Sequence, residues 1–389
     1  MVGEGSYAGL IPCQRHRFDI PEDVAYLNCA YMSALMDRVV EAGQAAAARK
    51  ARPWTIAPDD FFTEADRARE LFASLIGAQG QDVALVPAAS YGIATAAQNL
   101  PVRAGQRFVV LAEQFPSNLY SWRALAARTG ATLATVPRPD DDDWTRPILE
   151  ALDERAALVA LPHVHWTDGA LIDLEAIGAR ARAVGAALVV DATQSLGALP
   201  FDVRRIRPDF MVAATYKWLL GPYGGGFLYV APHRQDGRPL EENWIARRDS
   251  RNFSLLVDYR DDYAPGAVRY DVGERLNFHL LPMAIAALEQ IHEWGVDAIQ
   301  VTLRAMTDRL AARLQPLGLG MIAREKRAGH YLGLRFPGGV PAGLPERLAA
   351  AKVYASVRGR ASMRVTPHLW VSAADEGRFV EVLRRALQA

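Results

Sequence analysis

Between about residues 65 and 230, short apolar segments alternate with segments whose apolar residues recur at helical spacing. Residues 64–76, 92–100, 119–128 and 174–184 have the helical pattern, and Gly77, Gly130 and Gly185 end three of these helices. The predicted strands are residues 82–86, 107–111, 132–136, 157–161, 187–190, 210–213 and 227–230. Short strands separated by amphipathic helices indicate an α/β fold with a mainly parallel sheet that helices cover on both faces.

The second half of the chain has a different pattern. Residues 281–314 are strongly helical with an interruption at Gly295, and strand-like segments follow at 331–336, 355–357 and 362–365, before a last helix at 375–387. This mixture predicts a smaller α+β domain. We therefore expect a large domain over residues 23–265 and a small C-terminal domain over residues 266–389, with residues 1–22 packed nearby.

The charge balance and the apolar pattern limit the partners. The 44 basic residues meet 44 acidic ones, so no global field attracts nucleic acid or a membrane surface. No segment approaches the roughly 20 apolar residues that span a bilayer, and residues 1–10 do not resemble a signal peptide. We expect a cytoplasmic protein with a small amino-acid substrate, and neither a nucleic-acid nor a membrane partner.

The cysteines and histidines of the sequence do not form the patterns that are typical of a disulfide framework or a metal site. Cys13 and Cys29 are the only two cysteines, and their spacing fits neither a disulfide framework nor a zinc site. His163 and His165 have no third ligand nearby in the sequence. The sequence therefore predicts no metal, and these histidines are expected to shape a pocket.

Polar and aromatic residues follow four of the predicted strands. Asp191 comes after residues 187–190 and Lys217 after residues 210–213, while Ser90 stands at a helix start and Phe115 follows residues 107–111. In open parallel sheets, ligands bind beyond the carboxyl ends of the strands. We therefore expect these four side chains at one edge of the sheet.

That set of groups is the one that pyridoxal phosphate (PLP) requires. A lysine amine forms the covalent bond to its aldehyde, and a carboxylate keeps its pyridine nitrogen protonated. Free N–H groups at a helix N-terminus bind its phosphate, and an aromatic face restrains its ring. The sequence therefore predicts a PLP site in which Lys217 and Asp191 carry the chemistry.

The motifs resemble the class V aminotransferases, a group of fold-type I PLP enzymes that includes cysteine desulfurases, kynureninases, isopenicillin N epimerase-like proteins and C–S lyases. The most specific part is Asp-Ala-Thr-Gln at residues 191–194 together with Tyr216 and Lys217, and the resemblance extends from Asp23 to the C-terminus. It implies a homodimer in which residues 268–278 reach the partner's site.

The resemblance also implies roles for single residues. Lys217 carries the cofactor, Asp191 pairs with its pyridine nitrogen and Gln194 donates to its phenolic oxygen. Three residues bind the phosphate: Ala89, Ser90 and Tyr216. Phe115 stacks on the ring.

Arg364 resembles the arginine that pairs with the substrate carboxylate, a task for which a bidentate guanidinium is well suited.

Three departures from the family pattern bear on activity. No cysteine follows Cys29, so a desulfurase reaction through a persulfide in the C-terminal domain is disfavoured. Trp166 lies where many relatives have an asparagine, which predicts a narrower and more apolar pocket. Glu274 replaces a threonine that often reaches the partner's phosphate, and whether Glu274 or Arg275 does so here stays open.

The leading functional prediction is a PLP-dependent aminotransferase. A β-eliminating C–S lyase or an amino-acid epimerase of the same family is an alternative, because pocket geometry decides among these outcomes. A non-catalytic protein on the same fold is an alternative from another class. A nucleotide-binding oxidoreductase is disfavoured, since no Gly-x-Gly-x-x-Gly turn follows an early strand.

Overall fold

A computed structural model describes residues 9–275 and 277–388, so residues 1–8, Leu276 and Ala389 lie outside the described part. The strands are β1 (Ala25–Tyr26), β2 (Val83–Val86), β3 (Arg107–Leu111), β4 (Thr132–Val136), β5 (Ala156–Pro162), β6 (Ala187–Asp191), β7 (Phe210–Ala214), β8 (Gly226–Val230), β9 (Leu332–Arg335), β10 (Val353–Tyr354), β11 (Ser356–Arg358) and β12 (Ser362–Val365). The helices are α1 (Asp37–Lys50), α2 (Asp60–Ile76), α3 (Ala89–Asn99), α4 (Tyr120–Thr129), α5 (Thr145–Ala151), α6 (Leu174–Ala183), α7 (Val203–Ile206), α8 (Leu280–Trp294), α9 (Val296–Leu314), α10 (Leu344–Ala350) and α11 (Ala373–Gln388).

Seven strands form the central sheet, in the order β2-β8-β7-β6-β5-β3-β4. Strand β8 runs antiparallel to both of its neighbours, and the other pairs are parallel. The prediction of a mainly parallel sheet is confirmed. Each predicted strand matches an observed one to within one residue at either end, because every strand is a short apolar segment bounded by turn residues.

Helices cover both faces of the sheet, as predicted. In β3, Phe108 and Val110 belong to one buried cluster, while Val109 and Leu111 belong to the other. The alternation follows from the two-residue period of a strand, which points successive side chains to opposite faces. Helices α3 and α4 pack on the first face, and α2 and α6 pack on the second.

A smaller C-terminal domain of mixed α and β structure follows the sheet, as expected. Helices α8 and α9 meet at Gly295, whose φ of 76° ends the first helix. Strands β11, β12 and β9 form a three-stranded antiparallel sheet. The boundary at residue 265 remains a prediction.

The N-terminal segment contacts this C-terminal part of the chain. Strand β1 pairs in parallel with β10, and the Gln14 N–H donates to the Leu369 carbonyl at 2.8 Å. Residues 1–22 were expected to pack near the small domain, and residues 1–8 of that segment lie outside the described residues. Among the helices of the described chain, none has the length and apolar character needed to cross a membrane.

Candidate functional site

A cavity of about 220 Å³ lies at the carboxyl ends of the central strands. Predicted site residues that line it are Ala89, Ser90, Phe115, Asp191, Gln194, Tyr216 and Lys217. Trp166, Tyr223 and Gly225 also contribute to the wall. Arg364 is the one predicted site residue that does not line this cavity. The sheet therefore brings together seven of the eight predicted residues, as the rule for parallel sheets requires.

Asp191 is the last residue of β6 and is only 8 % exposed. Its Oδ1 accepts a hydrogen bond from the Thr193 backbone N–H at 3.0 Å. Oδ2 accepts no hydrogen bond from any described residue. A buried carboxylate with one unsatisfied oxygen at a cavity wall is suited to accept a ligand N–H.

Lys217 follows β7 by three residues and is 6 % exposed. Its Nζ lies 5.4 Å from the Phe115 ring centre and 5.3 Å from that of Tyr216. Burial lowers the pKa of Lys217 to about 8, although the Asp191 charge opposes that shift. A fraction of this amine is therefore unprotonated near neutral pH, which is the nucleophilic form.

Helix α3 begins at Ala89 with its first turn open to the cavity. The backbone N–H groups of Ala89 and Ser90 have no acceptor within the described part of the chain. Gly92 brings this helix close to the sheet, since a Cβ there would lie 2.7 Å from Val212 Cγ2. Free N–H groups and the helix dipole make this end of α3 suited to an anion.

Gln194 is held by two hydrogen bonds beside the cavity. Its Nε2 donates to the Ala30 carbonyl at 3.1 Å, and its Oε1 accepts from Trp218 Nε1 at 3.1 Å. One N–H of the amide remains for a ligand. The sequence predicted the residue but not these two partners, which come from distant segments.

Aromatic rings form one side of the cavity. Phe115 meets Trp166 edge to face, with ring centres 5.5 Å apart, and Tyr216 lies 4.6 Å from Tyr223. Trp166 Nε1 donates to the Glu113 carbonyl at 2.6 Å, which holds the indole in place. The expectation of an apolar wall at Trp166 agrees with these contacts.

Arg364 lies in β12 behind Trp166. Its Nη1 donates to the Trp166 carbonyl at 3.0 Å, and its guanidinium carbon lies 5.6 Å from the indole centre. Arg358, which the sequence reading did not single out, lies 5.9 Å from the same ring. The hairpin of β11 and β12 brings the two arginines to Trp166. The predicted strands at residues 355–357 and 362–365 are the sequence pattern from which this hairpin could have been inferred.

Arg275 forms an ion pair with Asp271 at 2.7 Å, and both side chains are buried. Asp271 also pairs with Arg69. The Arg275 guanidinium is thus engaged within its own chain. Leu276, in the middle of the segment expected at the partner's site, lies outside the described residues.

His163 and His165 pack against aromatic rings. His165 stacks on Trp144 at 4.9 Å, and His163 meets Phe201 edge to face at 5.5 Å. Burial lowers the pKa of His163 to about 3 and that of His165 below its usual range. Within residues 9–275 and 277–388, no group of three His, Cys, Asp or Glu side chains is arranged to hold a metal ion.

The donors and acceptors of the cavity match the groups of PLP. The buried Lys217 amine matches the aldehyde, and the Asp191 oxygen that no described residue hydrogen-bonds matches the ring nitrogen. The open first turn of α3 matches the phosphate. The residues present therefore fit this cofactor.

Comparison with known proteins supports the same assignment. The family model "Aminotransferase class-V" matches residues 29–369. An uncharacterized aminotransferase, YcbU of Bacillus subtilis, is 31 % identical over 69 % of this chain and 72 % of its own. A kynureninase of Pseudomonas fluorescens is 28 % identical over 83 % of this chain and 76 % of its own.

Solved structures share the fold. The cystine C–S lyase C-DES, in a mutant with glycine linked to its PLP cofactor, superposes with a TM-score of 0.85. It covers 95 % of this chain and 98 % of its own at 18 % identity. The family match extends over most of the described chain. The protein belongs to the class V aminotransferase family, whose members depend on pyridoxal phosphate.

Proposed function

We propose that this protein is a PLP-dependent aminotransferase that acts at Cα of a small amino acid and that Lys217 carries its cofactor. The observation that carries this proposal is the meeting of Lys217 and Asp191 in one cavity, each with a side-chain atom that makes no hydrogen bond to a described residue. A 31 % identical relative named as an uncharacterized aminotransferase supports the choice of reaction.

The cavity residues have separable tasks in this proposal. Asp191 would hold the pyridine nitrogen through its unsatisfied oxygen, and the N–H groups of Ala89 and Ser90 would hold the phosphate with Tyr216. Gln194 would donate its remaining N–H to the phenolic oxygen, and Phe115 would restrain the ring. The cofactor supplies an aldehyde for amines and a ring that accepts electrons from Cα.

In this proposal, Lys217 transfers the Cα proton of the substrate. Its amine lies in the cavity with a pKa lowered by burial, so that it would be suited to remove the Cα proton of a bound substrate. PLP would supply the electron-accepting ring for amino-group transfer, in which that proton does not return to Cα. Return to Cα gives epimerisation, and loss of a β substituent gives elimination. A route through a persulfide on a cysteine of the C-terminal domain is disfavoured, because no cysteine follows Cys29 in the sequence.

The decisive experiment combines reduction with a spectral screen. Borohydride treatment of the holoprotein should attach the cofactor irreversibly to Lys217, as read by peptide mass spectrometry, and Lys217→Ala should remain unlabelled. Amino acids that convert the holoprotein to its pyridoxamine form identify transamination. A keto acid released with an unchanged cofactor spectrum would instead indicate elimination, and inverted substrate alone would indicate epimerisation. Labelling at another lysine would refute the role of Lys217.

Asp191→Asn tests the carboxylate without changing the shape of the side chain. We expect turnover to fall by about 10²-fold or more, because asparagine does not keep the pyridine nitrogen protonated and the ring then accepts electrons less readily. The measurement is kcat with the best amino acid from the screen. Asp202→Asn, which changes a carboxylate remote from the cavity, serves as the control. Near-normal kcat in Asp191→Asn would contradict the assignment.

We also propose a homodimer and a cytoplasmic location, both of which the family resemblance and the composition suggest. Light scattering of the purified holoprotein measures its molecular mass and so tests the homodimer directly. A mass of one chain, 42.6 kDa, at working concentration would contradict the dimer.

A further inference from the structure

Two arginines converge on Trp166 from adjacent strands. Arg358 ends β11 and Arg364 lies in β12, and their guanidinium carbons are 5.9 and 5.6 Å from the indole centre. Both also point a nitrogen at Ser356 Oγ, at 3.4 and 3.5 Å. These contacts are at the long limit of hydrogen bonding. The 3.0 Å hydrogen bond from Arg364 Nη1 to the Trp166 carbonyl is the shorter contact, and it engages one nitrogen of one guanidinium.

Neither guanidinium has a counter-ion. Within the described residues, no carboxylate lies within 4 Å of Arg358 or Arg364, although ion pairs are common elsewhere in the chain. Arg364 is only 2 % exposed, and the Nε atoms of both arginines are buried without a hydrogen-bond partner. A buried charge without a partner is costly. A buried guanidinium beside a half-buried one, neither paired with a carboxylate of a described residue, therefore points to a ligand that supplies the missing anions.

Arg358 and Arg364 are connected to the cavity through Trp166. Trp166 contacts both arginines and also Phe115, and it forms part of the cavity wall. Both arginines are close enough to Lys217 for their charges to lower its pKa further, after the larger effect of burial. An anionic group held here would thus lie near enough to the cavity for its charge to act on the Lys217 amine.

We propose that Arg358 and Arg364 bind two separate acidic groups of the substrate, so that the protein acts on a dicarboxylic amino acid. This inference rests on the proposed function of the cavity. Arg364 is the more buried and would take the α-carboxylate, and Arg358, which is half-buried at a strand end, would take the side-chain acid. A single carboxylate carries one negative charge, which leaves the second guanidinium without compensation.

Binding of acids that lack an amine tests the proposal without any turnover. Calorimetric titration of the holoprotein with glutarate and succinate should show at least tenfold tighter binding than with butyrate. Arg358→Gln should remove this preference and leave butyrate binding unchanged, while Arg358→Lys should retain part of it. Arg360→Gln is the matched control, because Arg360 is exposed in the same hairpin.

Turnover provides a second measurement. In Arg358→Gln we expect KM for an acidic amino acid to rise about tenfold or more with kcat little changed, and KM for a neutral amino acid to stay constant. Equal binding of glutarate and butyrate by the wild type would overturn the proposal in favour of one carboxylate shared by both arginines. A dicarboxylate preference that survives Arg358→Gln would also overturn it.

Failure of this inference is distinguishable from failure of the proposed function. Glutarate binding does not require the Lys217 amine, so the titration can be repeated with Lys217→Ala. An Arg358-dependent preference without any borohydride labelling of wild-type Lys217 would refute the cofactor assignment alone. Labelling of Lys217 without a dicarboxylate preference would refute the two-arginine site alone.

Discussion

At the scale of single residues, Lys217 combines reactivity with a stability cost. Burial lowers its pKa from 10.5 to about 8, so folding at neutral pH requires a charged amine to leave water. The same burial supplies neutral amine for reaction with an aldehyde. A catalytic lysine of this kind is expected to destabilise the protein that carries it.

Lys217→Met should therefore stabilise the cofactor-free protein. The pKa difference corresponds to about 3 kcal/mol at pH 7. Between pH 8 and 10.5 the unfolded state binds more protons than the folded state, so the unfolding free energy of the wild type rises with pH. The advantage of Lys217→Met should be largest below pH 8 and shrink toward pH 10.5. Urea denaturation of both proteins at a series of pH values measures this difference in unfolding free energy.

The exposed Lys352 offers the control, and Lys352→Met should show no comparable gain. An advantage of Lys217→Met that is constant from pH 7 to 10 would show that it arises from packing and not from the buried charge.

At the scale of elements, the close packing of α3 on the sheet positions its N-terminus at the cavity. Gly92 is the residue that permits this contact, because a Cβ would lie 2.7 Å from Val212 Cγ2 and 3.2 Å from Leu228 Cδ1. Both neighbours are buried strand residues that cannot move freely. The distance between α3 and β7 is thus set by the absence of a side chain.

Gly92→Ala should weaken cofactor binding without removing any group that contacts the cofactor. Overpacking costs about 1–3 kcal/mol, although alanine is the better helix former at an unhindered site. We expect lower thermal stability and a higher Kd for PLP, measured by fluorescence titration of the apoprotein. Gly338→Ala is the control, since a Cβ there meets nothing within 4 Å. Wild-type affinity in Gly92→Ala would contradict this account.

At the scale of the whole molecule, the N-terminal segment is joined to the C-terminal domain. Arg15 Nη1 pairs with Asp375 Oδ2 at 2.7 Å, and the Asp375 side chain is 2 % exposed. The other terminal nitrogen of Arg15 donates to the Val24 carbonyl at 2.7 Å. The first described residues and the last helix are therefore parts of one folded unit.

Arg15→Ala should destabilise the holoprotein by about 2 kcal/mol, because it leaves a buried carboxylate without its cation. Hydrogen bonds from Ser372 to Asp375 remain and limit the loss. The cofactor spectrum should not change, because the pair lies outside the cavity. Chemical denaturation measures the effect, and Lys352→Ala, which breaks the exposed pair with Asp23, should produce no resolvable change. Equal stability of both variants would contradict a structural role for Arg15.

Local patterns predicted much of the fold. The seven strands of the central sheet and the interruption at Gly295 follow from apolar periodicity and turn residues, which act over a few residues. Helix α1 was not identified, and within it only Val39 and Ala46 are buried. Strands β1 and β10 were also missed, since two-residue strands exist only through their pairing with each other.

The sequence by itself determined the sheet and the meeting of Lys217 with Asp191, because residues that follow parallel strands must lie at one edge. Only the tertiary structure decided the partners of each side chain. Gln194 is held by Ala30 and Trp218. Arg358 lies over Trp166, and no carboxylate of the described residues pairs with it. Hydrogen bonds and charge compensation depend on which distant segments meet, and that information is absent from local periodicity.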